Sequence, residues 1–145
     1  MYKNIMLAVN LDHRSSWVGS LPVALSFVEK FSCKLTVITV ALDFSSSFVS
    51  SFFPQDFQEK MIEQTRLKLK TLVDQQIPSA LHTKIQSVIG FGAVEDEIIH
   101  YVKKLNIDLL IMSDYRAKYK KGMFGHPHIT AIKNHIDCSI LIDRN

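Results

Sequence analysis

DLLIMSDYRAKYKKGMFGHPHITAIKNHIDCSILIDRN, residues 108–145, is the stretch that decides the fold. A short apolar run (109–112) enters a loop rich in Lys and Arg, and the loop closes on Gly125. A short amphipathic stretch and a second apolar run (139–142) follow. Four to eight apolar residues without polar alternation suit strands buried on both faces. Two such strands joined by a loop and a helix make a βαβ unit. Its loop lies at the carboxyl end of the first strand, where backbone amides and a helix N-terminus can receive an anion. Residues 113–128 are therefore where function is expected.

Further upstream, residues 4–9 form an apolar first strand, with Asn10, Leu11 and Asp12 at its carboxyl end. Ser15 or Ser16 is expected to cap a helix whose apolar positions are Leu21, Ala24, Leu25, Val28 and Phe31. Pro22 fits either the first turn of a late-starting helix or a kink in a longer one. Residues 35–42 are rich in β-branched side chains and read as a second buried strand. Residues 43–54 (DFSSSFVSSFFP) have no period. They read as a connection whose phenylalanines cover the core edge or line a ligand or partner surface. Residues 55–76 form the longest helical pattern, with Phe57, Met61, Leu69, Leu72 and Val73 on one stripe; Pro78 stops it. Residues 83–89 are a weaker strand, expected nearer an edge. Gly90 and Gly92 turn the chain into a helix over 94–105, with Glu95, Asp96 and Glu97 in its dipole-favoured first turn. The order β-α-β-α-β-α-β-α-β predicts a single domain over 1–145. The fold is a doubly wound α/β three-layer sandwich around a five-stranded parallel sheet of order 3-2-1-4-5. The switch point between strands 1 and 4 brings residues 10–12 beside 113–116, with Val40 nearby.

The chain has 145 residues, enough for one ordinary core. Its net charge is +3, and with no domain-wide basic face it does not read as a nucleic-acid binder. The positive charge is local: Arg116, Lys118, Lys120 and Lys121 fall within six positions. No run approaches the ~20 apolar residues of a membrane span, and the opening MYKNIMLAVN reads as a strand rather than a signal peptide. Cys33 and Cys138 have no metal spacing and read as reduced packing residues of a cytoplasmic protein.

Over nearly its whole length the chain resembles the universal stress protein family. The resemblance is carried by YKNIMLAVN (2–10), LTVITV (35–40), FGAVEDEIIHYVKKLNIDLLIMS (91–113) and the closing helix and strand. It implies a small cytoplasmic stress-response protein, dimeric through its C-terminal strand. ATP-binding members carry G-x-x-G, nine residues, then G-[ST]. Here Ser113 and Arg116 stand at the first two glycines. Gly125 keeps the third after only eight residues, and His126 replaces the Ser or Thr. The family's Asp at the end of the first strand is Asn10 here. Loss of the glycines restricts close backbone approach to phosphate, while the basic loop offers compensating charge. Pro127 removes one amide donor from the helix start.

The implied ligand is ATP or another adenine nucleotide. Its base and ribose would lie against Asn10, Leu11, Asp12 and Val40, its phosphates near Ser113, Asp114, Arg116, Gly125 and His126. A nucleotide-independent dimeric interaction module and a slow ATPase remain open beside this reading. No nucleophile–base pair, GxSxG or Walker A motif is present, so no enzyme activity is expected. His126 and His128 flank Pro127 and are read at the mouth of the loop rather than as metal ligands.

Overall fold

The computed structural model describes residues 1–41, 56–115 and 126–144. The expected connection at 43–54 and the basic stretch with Arg116, Lys118, Lys120, Lys121 and Gly125 lie outside the described residues. Five strands, β1 (Asn4–Ala8), β2 (Lys34–Ala41), β3 (Ile85–Phe91), β4 (Leu109–Ser113) and β5 (Ser139–Asp143), alternate with helices. The helices are α1 (Ser20–Phe31), α2 (Phe57–Gln76), α3 (Val94–Lys104) and α4 (His126–Lys133). Every strand pair is parallel, and the sheet order is β3-β2-β1-β4-β5.

The continuous apolar runs of β1, β2 and β4 split by period 2 into two cores. On one face, Met6, Ala8, Ile38, Leu110 and Met112 pack against Val94, Ile98 and Val102 of α3 and Ile129 and Ile132 of α4. On the other, Ile5, Leu7, Val9, Val37 and Ile111 pack against Leu21, Ala24 and Val28 of α1 and Leu69 and Leu72 of α2. Both faces are covered, so a solvent-facing polar alternation has no place in the central strands. Val9, Val40 and Ile111 are buried, as the central-strand assignment requires. The two edges differ. β3 exposes Gln86 and Ser87, the weak outer strand expected from its sequence. β5 is apolar yet only partly covered, because it has a neighbour on one side alone.

Several local expectations are corrected. Neither Ser15 nor Ser16 caps α1: that helix begins at Ser20 after Gly19, without a side-chain cap. Both serines lie in a short 3-10 turn, Arg14–Ser16. Pro22 therefore falls in the first turn of the late-starting helix, where its missing N–H breaks no intrahelical bond. Phe31, expected in the buried stripe, is 46% exposed; it sits in the last turn and lies against Phe27, ring centroids 5.7 Å apart. Gly90 is required by packing, since a Cβ there would lie 2.9 Å from Cβ of Glu97. Gly92, with φ +139°, adopts a backbone that L side chains rarely enter.

Asp108 sets the register of β1 against β4. Its carboxylate accepts from the Lys3 N–H at 2.8 Å and the Asn4 N–H at 3.2 Å, while its own N–H donates to Asn4 O at 2.8 Å. Asp108→Ala is expected to lower stability by about 1–3 kcal/mol, the scale of lost charge-assisted bonds to backbone. Urea denaturation with an unchanged m-value checks it. Cys33 is buried, donates to Tyr2 O at 2.9 Å, and is pushed above the ordinary thiol pKa, first by burial and then by the charge of Asp108. Burial likewise raises Cys138. Burial thus disfavours the reactive thiolate at both positions.

Candidate functional site

The site is built where β1, flanked by β2 and β4, sends its chain out at the carboxyl edge. Beyond Val9, whose N–H still reaches Ile38 O at 2.9 Å, the backbone turns at Asn10. Asn10 is 3% exposed and holds this turn together. Its Oδ1 accepts from the Asp12 N–H at 3.1 Å, an Asx turn. Its backbone N–H donates to Ser16 Oγ at 2.9 Å, and that hydroxyl lies 2.9 Å from Asn10 O and 2.7 Å from His13 O. Ser16 thus fastens the loop to itself instead of capping α1.

The β4 end joins the same network. Asn10 Nδ2 donates to the Tyr115 hydroxyl at 3.0 Å, Tyr115 is 1% exposed, and its ring lies 5.7 Å from that of His13. Ser113, also buried, donates from Oγ to Ser15 O at 3.3 Å. The Asp114 N–H donates to Asp143 O at 2.8 Å, continuing the ladder to β5. The structure therefore brings residues 10–16 and 113–115 into contact across the switch point. Of the expected phosphate-side residues, Ser113 and Asp114 are placed here. Arg116 and Gly125 lie outside the described residues, and His126 is the first residue of α4.

A cleft of about 230 Å³ opens beside this network. The residues after β1 (Asn10, Leu11, Asp12) form one wall. The end of β2 (Thr39, Val40, Ala41) forms the floor, and α2 forms the opposite wall with Met61, Gln64, Thr65 and Lys68. Four expected ligand residues, Asn10, Leu11, Asp12 and Val40, share this one cavity. Among the described residues the charged groups lining the cleft are Asp12 and Lys68, whose Nζ lies 3.4 Å from Asp12 Oδ1. Among the described residues both ends of the Asn10 amide are engaged in the network, Nδ2 as donor and Oδ1 as acceptor.

The α2 wall lies outside the residues expected from the sequence. Residues 61, 64, 65 and 68 recur at i, i+3, i+4 and i+7, so they share one helix face. That periodicity is legible, but Met61 reads equally well as core, and Gln64, Thr65 and Lys68 as solvated surface. Tyr115 escapes sequence reasoning for a different reason: a lone tyrosine beside a basic run carries no mark of burial.

The His128 Nδ1 lies 2.7 Å from Glu95 Oε1, so the imidazole engages α3. The first turns of α3 and α4 start at the same sheet edge on the same face, which is why they meet. Glu97 secures the end of β3, where its Oε1 accepts from the Phe91 N–H at 2.8 Å. Among the described residues no group of three or more His, Cys, Asp or Glu is placed to hold a metal. Among the same residues no helix is long and apolar enough to cross a membrane.

Comparison with known proteins agrees with this architecture. No curated protein matches the sequence significantly. Among solved structures, the hypothetical protein MJ0577, a structural-genomics test case, superposes with a TM-score of 0.69 at 16% identity, covering 100% of this chain and 97% of its own. UspA from Lactobacillus plantarum gives 0.68 at 17% identity, covering 99% and 98%. A universal stress protein in complex with cAMP gives 0.59 at 15% identity, covering 99% and 97%. At such identities these likenesses establish the shared fold. The family model for the universal stress proteins matches residues 1–144, and with that match over almost every residue of a 3-2-1-4-5 sheet, the chain belongs to the universal stress protein family.

Proposed function

We propose that this chain is a cytoplasmic stress-response module that binds an adenine nucleotide, with base and ribose in the cleft over Val40. The observation that carries the reading is the cleft itself. It lies at the carboxyl ends of β1 and β2, beside the switch point where open α/β sheets bind ligands, and it gathers Asn10, Leu11, Asp12 and Val40. At about 230 Å³ it is smaller than the ~300 Å³ and upward of drug-sized sites. It suits a nucleoside with the phosphates lying outside. Leu11 and Met61 offer apolar faces to a base, the Asn10 amide stands at its polar edge, and the Asp12 carboxylate suits a ribose hydroxyl. The phosphates run toward Ser113 and Asp114, with Arg116, Gly125 and His126 as the remaining phosphate-side residues. A structural relative solved with cAMP supports an adenine nucleotide as the ligand class. The protein acts as a binding module rather than a hydrolase.

Calorimetric titration with adenosine, AMP and ATP tests the reading. All three are expected to bind. Arg116→Ala is expected to weaken ATP by about 1–3 kcal/mol, the scale of a lost charge-assisted hydrogen bond, and adenosine far less. Equal losses for all three ligands would put the phosphates elsewhere, and no heat with any of them would remove nucleotide binding.

The module also pairs with a second copy through β5. This strand ends the sheet and exposes Ile142 by 39%, and an apolar edge strand is a ready template for another chain. Light scattering at micromolar concentration is expected to give twice the chain mass, and Ile142→Lys to give the monomer mass. A monomeric wild type would contradict pairing through this edge.

A further inference from the structure

A second cleft, about 180 Å³, lies between the start of α1 and the outer face of α2. Trp17 and Leu72 give it apolar walls, and Thr71, Gln75 and Gln76 give it polar ones. It adjoins the first cleft, since Leu11 and Lys68 line both. Lys68 therefore stands on the ridge between two cavities. Its only partner among the described residues is Asp12 at 3.4 Å, in a pair whose side chains are 61% and 73% exposed. Such a pair exchanges readily for a stronger anion. A second positive charge stands nearby: the Arg14 guanidinium lies over the Trp17 ring, 5.8 Å from its centroid.

Resting on the nucleotide reading above, we infer that the two clefts take the two bases of a 3′,5′-linked dinucleotide, with the linking phosphate on Lys68. A nucleoside seated in the first cleft reaches the second through Lys68, which lines both, and Trp17 lines the second alone. The spacing fits. The helix residues of the two clefts centre roughly seven to eight positions apart on α2, or ~11 Å at 1.5 Å per residue. That is within the reach of two bases joined through one phosphodiester. An indole beside a guanidinium is a sequence-tolerant stacking surface for a base. The amides of Gln75 and Gln76 can meet its polar edge. A mononucleotide leaves this half of the groove unused.

The probes are AMP and the linear dinucleotide pApA, titrated calorimetrically and by fluorescence. The chain has one tryptophan, Trp17, so its emission reports the second cleft alone. The expected result is that pApA binds about tenfold or more tightly than AMP and quenches Trp17, whereas AMP binds without quenching. Lys68→Ala should remove about tenfold of the pApA affinity, and Gln75→Ala, at a residue lining the second cleft alone, should weaken pApA while changing AMP less than twofold. Thr71→Phe, at an exposed position on α2, should fill the second cleft and reduce pApA to the affinity of AMP. If AMP binds but pApA binds no tighter, or if AMP quenches Trp17 as strongly, the second cleft is not a base site and the inference falls while the nucleotide reading stands. If AMP and adenosine do not bind at all, the nucleotide reading fails and takes this inference with it.

Discussion

Ile111→Asp is expected to leave no folded protein at 25 °C. Ile111 is 0% exposed and sits in the middle of β4, beside Leu7 of β1 and Leu141 of β5. Its side chain enters the core beneath α1. The residues of that core are apolar and offer a carboxylate no cation, so the new side chain must either ionise unpaired or stay protonated with a strongly raised pKa. Either course costs several kcal/mol, against a total stability of about 5–15 kcal/mol for a domain of this kind. Ile111→Val removes one methylene and is expected to cost about 0.5–1.5 kcal/mol. Far-ultraviolet circular dichroism and urea titration distinguish the two. A cooperative, native-like Ile111→Asp protein would mean that β4 is not a central strand.

Asn10→Ala is expected to destabilise the protein by about 2–3 kcal/mol and to abolish binding in the cleft. The substitution removes the acceptor for the Asp12 N–H and the donor to the Tyr115 hydroxyl at once, each bond contributing about 1 kcal/mol, with a further cost for a buried group left short of a partner. Tyr115→Phe removes the second bond while keeping the first and is expected to cost about 1 kcal/mol. Asn10 and Tyr115 touch, so the double variant should lose less than the sum of the singles, by about 0.5–1 kcal/mol. Asn10→Asp is instructive beside these. A carboxylate there can accept from both the Asp12 N–H and the Tyr115 O–H, so it should retain the turn better than Ala. Thermal denaturation of the four proteins checks the order, and strict additivity of Asn10→Ala and Tyr115→Phe would remove the bridge between the β1 and β4 ends.

The strands were legible because their signal is simple. Residues 35–42 and 109–112 are apolar on both faces, and only a sheet covered on both sides accommodates such runs. Connection rules put helices on both faces, and the strand order 3-2-1-4-5 came from the doubly wound nucleotide-binding pattern. The helix start at α1 was not legible. Ser15 and Ser16 are good cap residues by type, but Ser16 is drawn instead to the backbone of Asn10 and His13 by a turn six residues upstream. Local propensity lost to a contact that exists only once the chain has turned. The site was half legible for a similar reason. Asn10, Leu11, Asp12 and Val40 sit at strand ends, and strand ends can be found by periodicity. The opposite wall comes from the polar flank of α2, and the buried anchor Tyr115 from a stretch that reads as charged loop. His128 shows the same limit, because its partner Glu95 lies on another helix and no local spacing connects them.

The most direct test of the site is the methyl spectrum of Met61 and Leu11 as adenosine is added. Met61 lies on the α2 wall and Leu11 on the facing wall of the same cleft. A base seated between them should shift the Met61 Cε and Leu11 Cδ resonances together, in a saturable way, with the same midpoint as the heat of binding. Ile140, on β5, should stay still. Saturable shifts at β5 with Met61 and Leu11 unmoved, or no shift anywhere at millimolar adenosine, would contradict a nucleoside site in this cleft.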